Sequence, residues 1–210
     1  MEALTELRQA ALQEIINISF GRASASLAEL LDAYVALNVP HVQEIEQSQV
    51  FEVLEQRVGI DKDVTVVQQS FTGDFEGEVL LAVPANAGMR AIKMLGQGSR
   101  FAPDLPVTEL EMEVFLEIGN IVIGACMGQF AELLNTSLSY EVPDILLTKG
   151  SIAGLRRDES NNGVKTLALL IKTDFQLGEK ALSGFLFILF GQQWFNMLYL
   201  ALDKFIEDMT

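Results

Sequence analysis

The chain has 210 residues, of which 50% are hydrophobic and 20% charged, and its formal net charge is −15. This composition supplies enough apolar side chains for one packed domain or two small, closely joined halves, and it excludes global disorder. The acidic balance argues against nucleic acid and anionic membranes as partners, because both surfaces attract basic proteins. We expect instead a partner protein that exposes lysines or arginines.

Few reactive side chains are present. Cys126 is the only cysteine and His41 the only histidine. An intrachain disulfide and a cysteine-based zinc site are therefore excluded, and histidine-dependent nucleophilic catalysis has almost no basis. The first residues are acidic and helix-like, unlike a signal peptide, and the most apolar run, Phe185 to Phe190, is too short to cross a bilayer. The sequence thus predicts a cytoplasmic protein.

The first part of the chain alternates helical and extended patterns. Apolar spacing predicts a helix from Leu4 to about Ile18 and a second helix from Gly21 to Asp32. Tyr34 to Ile45 is predicted to be extended, and Pro40 within it favours an edge strand or a bulge. The following elements are a short helix (Gln49 to Arg57), a hairpin of two strands (Val64 to Phe71 and Gly77 to Val83) and a helix from Pro84 to about Leu95.

The segment from Gly96 to Pro106 is rich in Gly, Pro and Ser, which is typical of a linker. Thr108 is predicted to cap the next helix with Glu111 three residues later. The remaining predicted elements are helices to about Ile121 and from Gly124 to Leu134, strands at Leu138 to Val142, Ile145 to Leu155, Val164 to Thr173 and Phe185 to Phe190, and a helix from Gln192 to about Ile206.

An internal repeat relates the two parts. Residues 14–40 align without a gap on residues 117–143, and 11 of the 27 positions are identical. Further along, Gly77 to Val83 resembles Gly184 to Phe190. We therefore predict one α+β domain over residues 1–210, made by duplication of two pseudo-symmetric halves (about 1–95 and 107–210). The strands should form one continuous, mostly antiparallel sheet with helices packed against it.

Each half repeats one carboxylate and one carboxamide on the same helical face. These pairs are Glu14 with Asn17 and Glu117 with Asn120, and residues three apart are neighbours on a helix. Asn is a poor residue inside a helix, so its presence at matching places requires a reason. One reason is structural: each Asn could satisfy a backbone group at a helix break near Gly21 or Gly124, with its Glu merely solvated.

The full pattern favours a functional reason. It consists of Glu-x-x-Asn, 22 further residues and Pro, and it occurs twice, as Glu14, Asn17 and Pro40 and as Glu117, Asn120 and Pro143. The doubled motif, with an Asn-Ile-x-x-Gly sequence in each copy, resembles the CheC/CheX/FliY family of chemotaxis phosphatases. Two copies in about 200 residues are similar to the CheC type. The resemblance extends over essentially the whole chain.

This resemblance implies a mechanism that suits the side chains present. The substrate would be a CheY-like response regulator phosphorylated on aspartate, which itself supplies the Mg²⁺ and a lysine near the phosphate. Asn17 and Asn120 would orient the attacking water, and Glu14 and Glu117 would pair with the partner's lysine. Phosphoryl transfer mainly needs positioning and charge neutralisation, so no metal or cofactor of the chain's own is expected.

The sequence departs from the family pattern four residues before each Glu. The family prefers Asp or Ser there, whereas this chain has Ala10 and Glu113. Because Ala10 can make no polar contact, we predict that the first site is the weaker one. Two alternatives remain open: a non-enzymatic interaction module resembling the FliM middle domain, and an adaptor that binds the deamidase CheD.

Overall fold

The fold was analysed in a computed structural model, which describes residues 4–50, 52–53, 56, 64–74, 76–84, 107–150, 167–177, 180–190 and 192–208. The linker expected from Gly96 to Pro106 lies outside these residues, as does most of the helix expected from Pro84 to Leu95. Pro84 itself is the last residue of a strand. The division into repeats at these positions therefore stays a prediction.

The described elements follow the order helix, three strands, helix, four strands and helix. The helices are α1 (Glu6–Leu31), α2 (Val107–Leu133) and α3 (Gln192–Asp208), with a short 3₁₀ helix at Gln47–Gln49. The strands are β1 (Val35–Glu46), β2 (Val64–Gly73), β3 (Gly77–Pro84), β4 (Leu138–Tyr140), β5 (Asp144–Gly150), β6 (Leu167–Leu177) and β7 (Lys180–Phe190).

Helices α1 and α2 are each continuous, so the prediction of two helices in each half is wrong. Gly21 and Gly124 lie inside these helices, where each costs about 1 kcal/mol relative to Ala. Packing of the apolar face on both sides of each glycine outweighs this cost. Thr108 lies within α2 and is not its cap. Thr5 caps α1, since its side chain accepts a hydrogen bond from the Arg8 N–H.

Helices α1 and α2 end in the same way, 103 residues apart. Asp32 and Asn135 both adopt the left-handed conformation, with φ of 45° and 50°. The residue after each one donates its N–H to the carbonyl five residues earlier: Ala33 to Ala28, and Thr136 to Ala131. Segments 14–40 and 117–143 thus share one helix-to-strand path. A shared path agrees with a duplication, which stays a prediction.

The strands form one curled sheet in which all described pairs are antiparallel, which confirms the predicted α+β class. The order is β1-β6-β7-β3-β2-β4, and β5 also pairs with β2. The first strand of each repeat therefore lies beside a strand of the other repeat. At the centre, Gly77 lies opposite Phe190 and Ala82 opposite Phe185. This antiparallel pairing is compatible with a two-fold relation between β3 and β7, as any antiparallel register is.

Both faces of the sheet are buried. The three helices cover one face, where residues such as Leu12, Val122 and Leu198 pack against the strands. The other face carries a smaller cluster that includes Val66, Leu170 and Phe187. A sheet that is buried on both sides needs apolar residues in nearly every position, which explains the continuous apolar runs of β6 and β7.

Among the described residues, one helical segment is long and apolar enough to cross a membrane. It is Glu109–Leu133, with a mean hydropathy of 1.5 over an 18-residue window, and half of that window is buried inside the fold. A core helix of a globular domain has the same properties, so this segment is weak evidence for a membrane span.

Gly119 allows α2 to lie directly on β2. A Cβ atom at this position would be 2.7 Å from Val67 Cγ1, whereas a Cβ atom at Gly128 would meet nothing within 4 Å. We expect Gly128→Ala to stabilise the protein by up to about 1 kcal/mol through helix propensity. Gly119→Ala should be about 1–3 kcal/mol less stable than Gly128→Ala because of overpacking. Urea unfolding measures both, and equal values would contradict the close contact.

An ion pair joins the first turn of α1 to α3. Arg8 donates from Nε to Asp203 Oδ1 at 2.7 Å and from Nη2 to Oδ2 at 2.5 Å. These hydrogen bonds lower the pKa of Asp203 below its ordinary value of 3.8. The pair therefore stabilises the fold fully above that value and is lost as the pH falls through the folded-state pKa. The melting temperatures of wild type and Asp203→Asn should differ at pH 6, and they should converge as the pH falls below 3.8 and through the folded-state pKa.

Candidate functional site

The first Glu/Asn pair lies on α1, and one of its two side chains contacts the sheet. The Glu14 side chain is exposed, and Asn17 is half-buried. Asn17 Oδ1 accepts a hydrogen bond from the backbone N–H of Val39 at 2.8 Å. Val39 directly precedes Pro40, so the motif's fixed spacing between Asn and Pro corresponds here to a contact between helix and strand.

A second side chain of α1 makes the same kind of contact. Ser24 Oγ accepts from the N–H of Leu37 at 2.9 Å and donates to the carbonyl of Phe20 at 2.7 Å. Leu37 and Val39 are two residues apart, so their N–H groups point to the same side of β1. That side is the free edge of the sheet. Asn17 and Ser24 therefore satisfy two donors that an edge strand would otherwise leave open.

The second pair is open to solvent. Asn120 is exposed and Glu117 half-buried on α2. Within the described part of the chain, the Asn120 carboxamide makes no hydrogen bond. The residue equivalent to Val39 is Val142, which is 88% exposed. The residue equivalent to Ser24 is Met127, which is buried and offers no hydroxyl.

The two pairs are thus inequivalent, and the structural explanation for Asn applies to only one of them. Asn17 binds the neighbouring strand rather than a helix break, because α1 continues through Gly21. Asn120 has no such structural bond among the described residues, and it stands with Glu117 on an accessible surface. The structure therefore leaves the carboxamide of the second pair free to contact a partner.

The residues four positions before each Glu are both exposed. Ala10 and Glu113 lie on the surface of α1 and α2, where Glu113 keeps a carboxylate near its pair and Ala10 does not. Of the two motif prolines, Pro143 is half-buried and lies just before β5. Pro40 lies within β1, where the pairing with β6 shifts register between Asn38 and His41. The sequence predicts an edge strand or a bulge at Pro40, and β1 has both features.

We expect Asn17→Ala to lower the free energy of unfolding by about 1–2 kcal/mol, because the Val39 N–H loses its acceptor. Asn120→Ala should leave stability unchanged or raise it by a few tenths of a kcal/mol, because Ala is the better helix former. Urea titrations of both variants measure this difference. A loss for Asn120→Ala as large as that for Asn17→Ala would contradict the inequivalence.

The chemistry available at these positions is that of amides and carboxylates. Among the described residues, no group of three or more His, Cys, Asp and Glu could hold a metal ion. Burial raises the pKa of the Cys126 thiol far above its ordinary value, so this residue stays neutral at physiological pH. Cys126 therefore cannot serve as a nucleophile in the folded chain.

Sequence reasoning missed two residues that shape these surfaces. Ser24 follows Asn17 by seven residues, which places it on the same helical face two turns later. Its partner strand could not be identified before the topology was known. Gly119 stands where the first half has Ile16, and this difference within the repeat was the available signal for a closer helix-to-sheet contact.

The chain is similar to two curated proteins of Bacillus subtilis (strain 168). It is 23% identical over 195 residues to the CheY-P phosphatase CheC, and the match covers 91% of both chains. It is 25% identical over 178 residues to the flagellar motor switch phosphatase FliY. That match covers 84% of this chain but 44% of FliY, so the chain spans less than half the length of that relative. No protein-family model matches the sequence.

Solved structures show the same fold. FliY of Thermotoga maritima superposes with a TM-score of 0.72 at 17% identity, covering 97% of this chain and 99% of that one. The FliM middle domain of H. pylori superposes with a TM-score of 0.55 at 10% identity, covering 94% and 99%. The doubled motif, the fold and the two curated relatives agree. In sequence the chain is similar to CheC and FliY, and in fold it is similar to FliY.

Proposed function

We propose that the chain hydrolyses the aspartyl phosphate of a CheY-like response regulator. The observation that carries this proposal is the accessible Glu117/Asn120 pair on α2, in a chain that matches a CheY-P phosphatase over 91% of its length. The residue roles rest on the motif and on the exposure of its side chains.

In this mechanism, the carboxamide of Asn enters the partner's site and orients a water in line with the phosphorus. An amide oxygen can accept a hydrogen bond from that water while the amide nitrogen donates to another group. The amide does not titrate, so it keeps this role over a wide pH range. Glu117 and Glu14 pair with a lysine of the partner, which also brings the phosphoryl group and the Mg²⁺.

In this proposal, the second site (Glu117 and Asn120) contributes most of the phosphatase activity. Asn120 needs no rearrangement to reach a partner, whereas Asn17 first has to release the Val39 N–H or act while still bound to it. Ala10 adds to the difference, because it removes a polar group beside Glu14. The proposed reaction takes place in the cytoplasm, where phosphorylated response regulators occur.

A second candidate function is a non-enzymatic binding module of the flagellar switch. The structural similarity to the FliM middle domain favours it. An adaptor that binds CheD is a third role, for which the family resemblance is the only support. The two intact Glu/Asn pairs favour the enzyme over both, because they are the residues to which the family resemblance assigns catalysis.

The test is the decay of a phosphorylated CheY-like regulator, with Mg²⁺ present and with or without this chain. Faster decay that scales with the concentration of the chain supports the phosphatase. Binding without any acceleration would favour the FliM-like module. Addition of CheD to the same assay tests the adaptor role, because CheD that binds the chain should change the rate or co-elute with it.

A further inference from the structure

Two backbone donors, one at the end of β4 and one just after it, remain open in the described part of the chain. Glu141 donates its N–H to the carbonyl of Ser70 in β2 at 3.0 Å. Successive residues of a strand direct their N–H groups to opposite sides, so the N–H of Tyr140 points away from the sheet. The N–H of Val142, just after the strand, has no acceptor among the described residues. Tyr140 is 40% and Val142 is 88% exposed, so both residues are accessible from solvent.

The first half of the chain shows what such an edge binds. There, the equivalent N–H groups of Leu37 and Val39 each receive an oxygen acceptor at 2.9 and 2.8 Å, from Ser24 and Asn17. In the second half Met127 replaces the serine, and the equivalent asparagine makes no hydrogen bond to described residues. The two backbone N–H groups therefore have side-chain acceptors in the first half and none among the described residues in the second half.

Acidic side chains lie along the open edge. Glu141 and Asp144 are exposed on either side of Val142, and Glu117 is half-buried on the helix beside it. The formal net charge of the whole chain is −15. This charge repels a second copy of the chain and attracts a basic segment.

We propose that the β4 edge, from Tyr140 to Val142, binds an extended, basic segment of a partner protein as an added strand. Two carbonyl oxygens of that segment, two residues apart, accept from the N–H groups of Tyr140 and Val142, as side-chain oxygens do in the first half. Lysine or arginine side chains of the segment then lie near Glu141 and Asp144. This docking edge does not depend on the phosphatase activity.

The probe is a display library of random ten-residue peptides selected on the intact chain. We expect the selected peptides to be rich in Lys and Arg and to lack Pro at the paired positions. Val142→Pro removes one donor at an exposed position outside regular structure, and it should weaken these peptides about tenfold. Val142→Ala keeps the N–H and should bind within about threefold of wild type.

Amide hydrogen exchange gives a second readout on the unmodified chain, which is needed if Val142→Pro fails to fold. A selected peptide should slow exchange at Tyr140 and Val142 and leave Leu37 and Val39 unchanged. The proposal is overturned if no peptide is selected, if the peptides are acidic, or if Val142→Pro folds and binds like Val142→Ala. Self-association that Val142→Pro abolishes would also overturn it, in favour of a second copy.

Discussion

The double variant Asn17→Ala/Asn120→Ala is expected to lose nearly all phosphatase activity towards a phosphorylated CheY-like regulator. Loss of one polar group that positions a reacting species typically costs about 100-fold or more in rate. With two sites, each single variant keeps the activity of the other site. Asn120→Ala should be the more damaging single change, because Asn17 is held by Val39 in the free chain.

A matched control separates catalysis from folding. Asn196 is an exposed asparagine in α3, outside both motif copies, so Asn196→Ala should leave activity and stability near wild type. Because Asn17→Ala also costs stability, the decay assays should be run well below the melting temperature of each variant. A folded double variant that dephosphorylates as fast as wild type would exclude the Glu/Asn mechanism.

Binding of the phosphorylated regulator gives an independent readout of the same variants. Most of an interface remains after a single truncation, so the double variant should still bind. Retained binding with lost turnover is the signature of a catalytic amide. Lost binding with unchanged turnover per complex would instead assign Asn17 and Asn120 to the interface alone.

The order and type of the described elements could be predicted from the sequence. The strands are bounded by turn residues such as Gly73 and Asp74, and the buried strands are nearly continuous apolar runs. The predicted breaks in α1 and α2 are wrong, because an isolated Gly in a helical pattern resembles a helix end when only the local sequence is considered. The packing of α1 on the sheet through Phe20 and Ala23, on both sides of Gly21, is a tertiary effect that no local pattern contains.

The candidate site could be predicted only in part. The doubled motif predicts Glu14, Asn17, Glu117 and Asn120, and their roles stay predictions. The contact between Asn17 and Val39 could not be predicted from the sequence, since it depends on how a helix and an edge strand meet. Identical residues in a repeat therefore need not have identical surroundings, because the difference here arises from neighbours such as Ser24 and Met127.

The largest stability effect is expected for Trp194→Ala, which removes the aromatic side chain that joins α3 to the rest of the core. Trp194 is 1% exposed, and its ring stacks on Phe190 of β7 with centroids 3.5 Å apart and an interplanar angle of 6°. It also packs edge-to-face with the ring of Phe130 in α2, and the two ring centroids are 5.3 Å apart. Burial of so large a ring between a strand and two helices predicts a loss of about 3–5 kcal/mol.

Leu200→Ala is the control in the same helix, because Leu200 is 68% exposed and should change stability by less than about 0.5 kcal/mol. Trp194→Phe keeps a ring in the site and should lose less than Trp194→Ala. Urea unfolding followed by far-UV circular dichroism compares all three variants without relying on tryptophan fluorescence. A Trp194→Ala variant within 1 kcal/mol of wild type would show that the site collapses onto α3. The contacts of the Trp194 ring with Phe190 and Phe130 would then not be what holds α3 against β7 and α2.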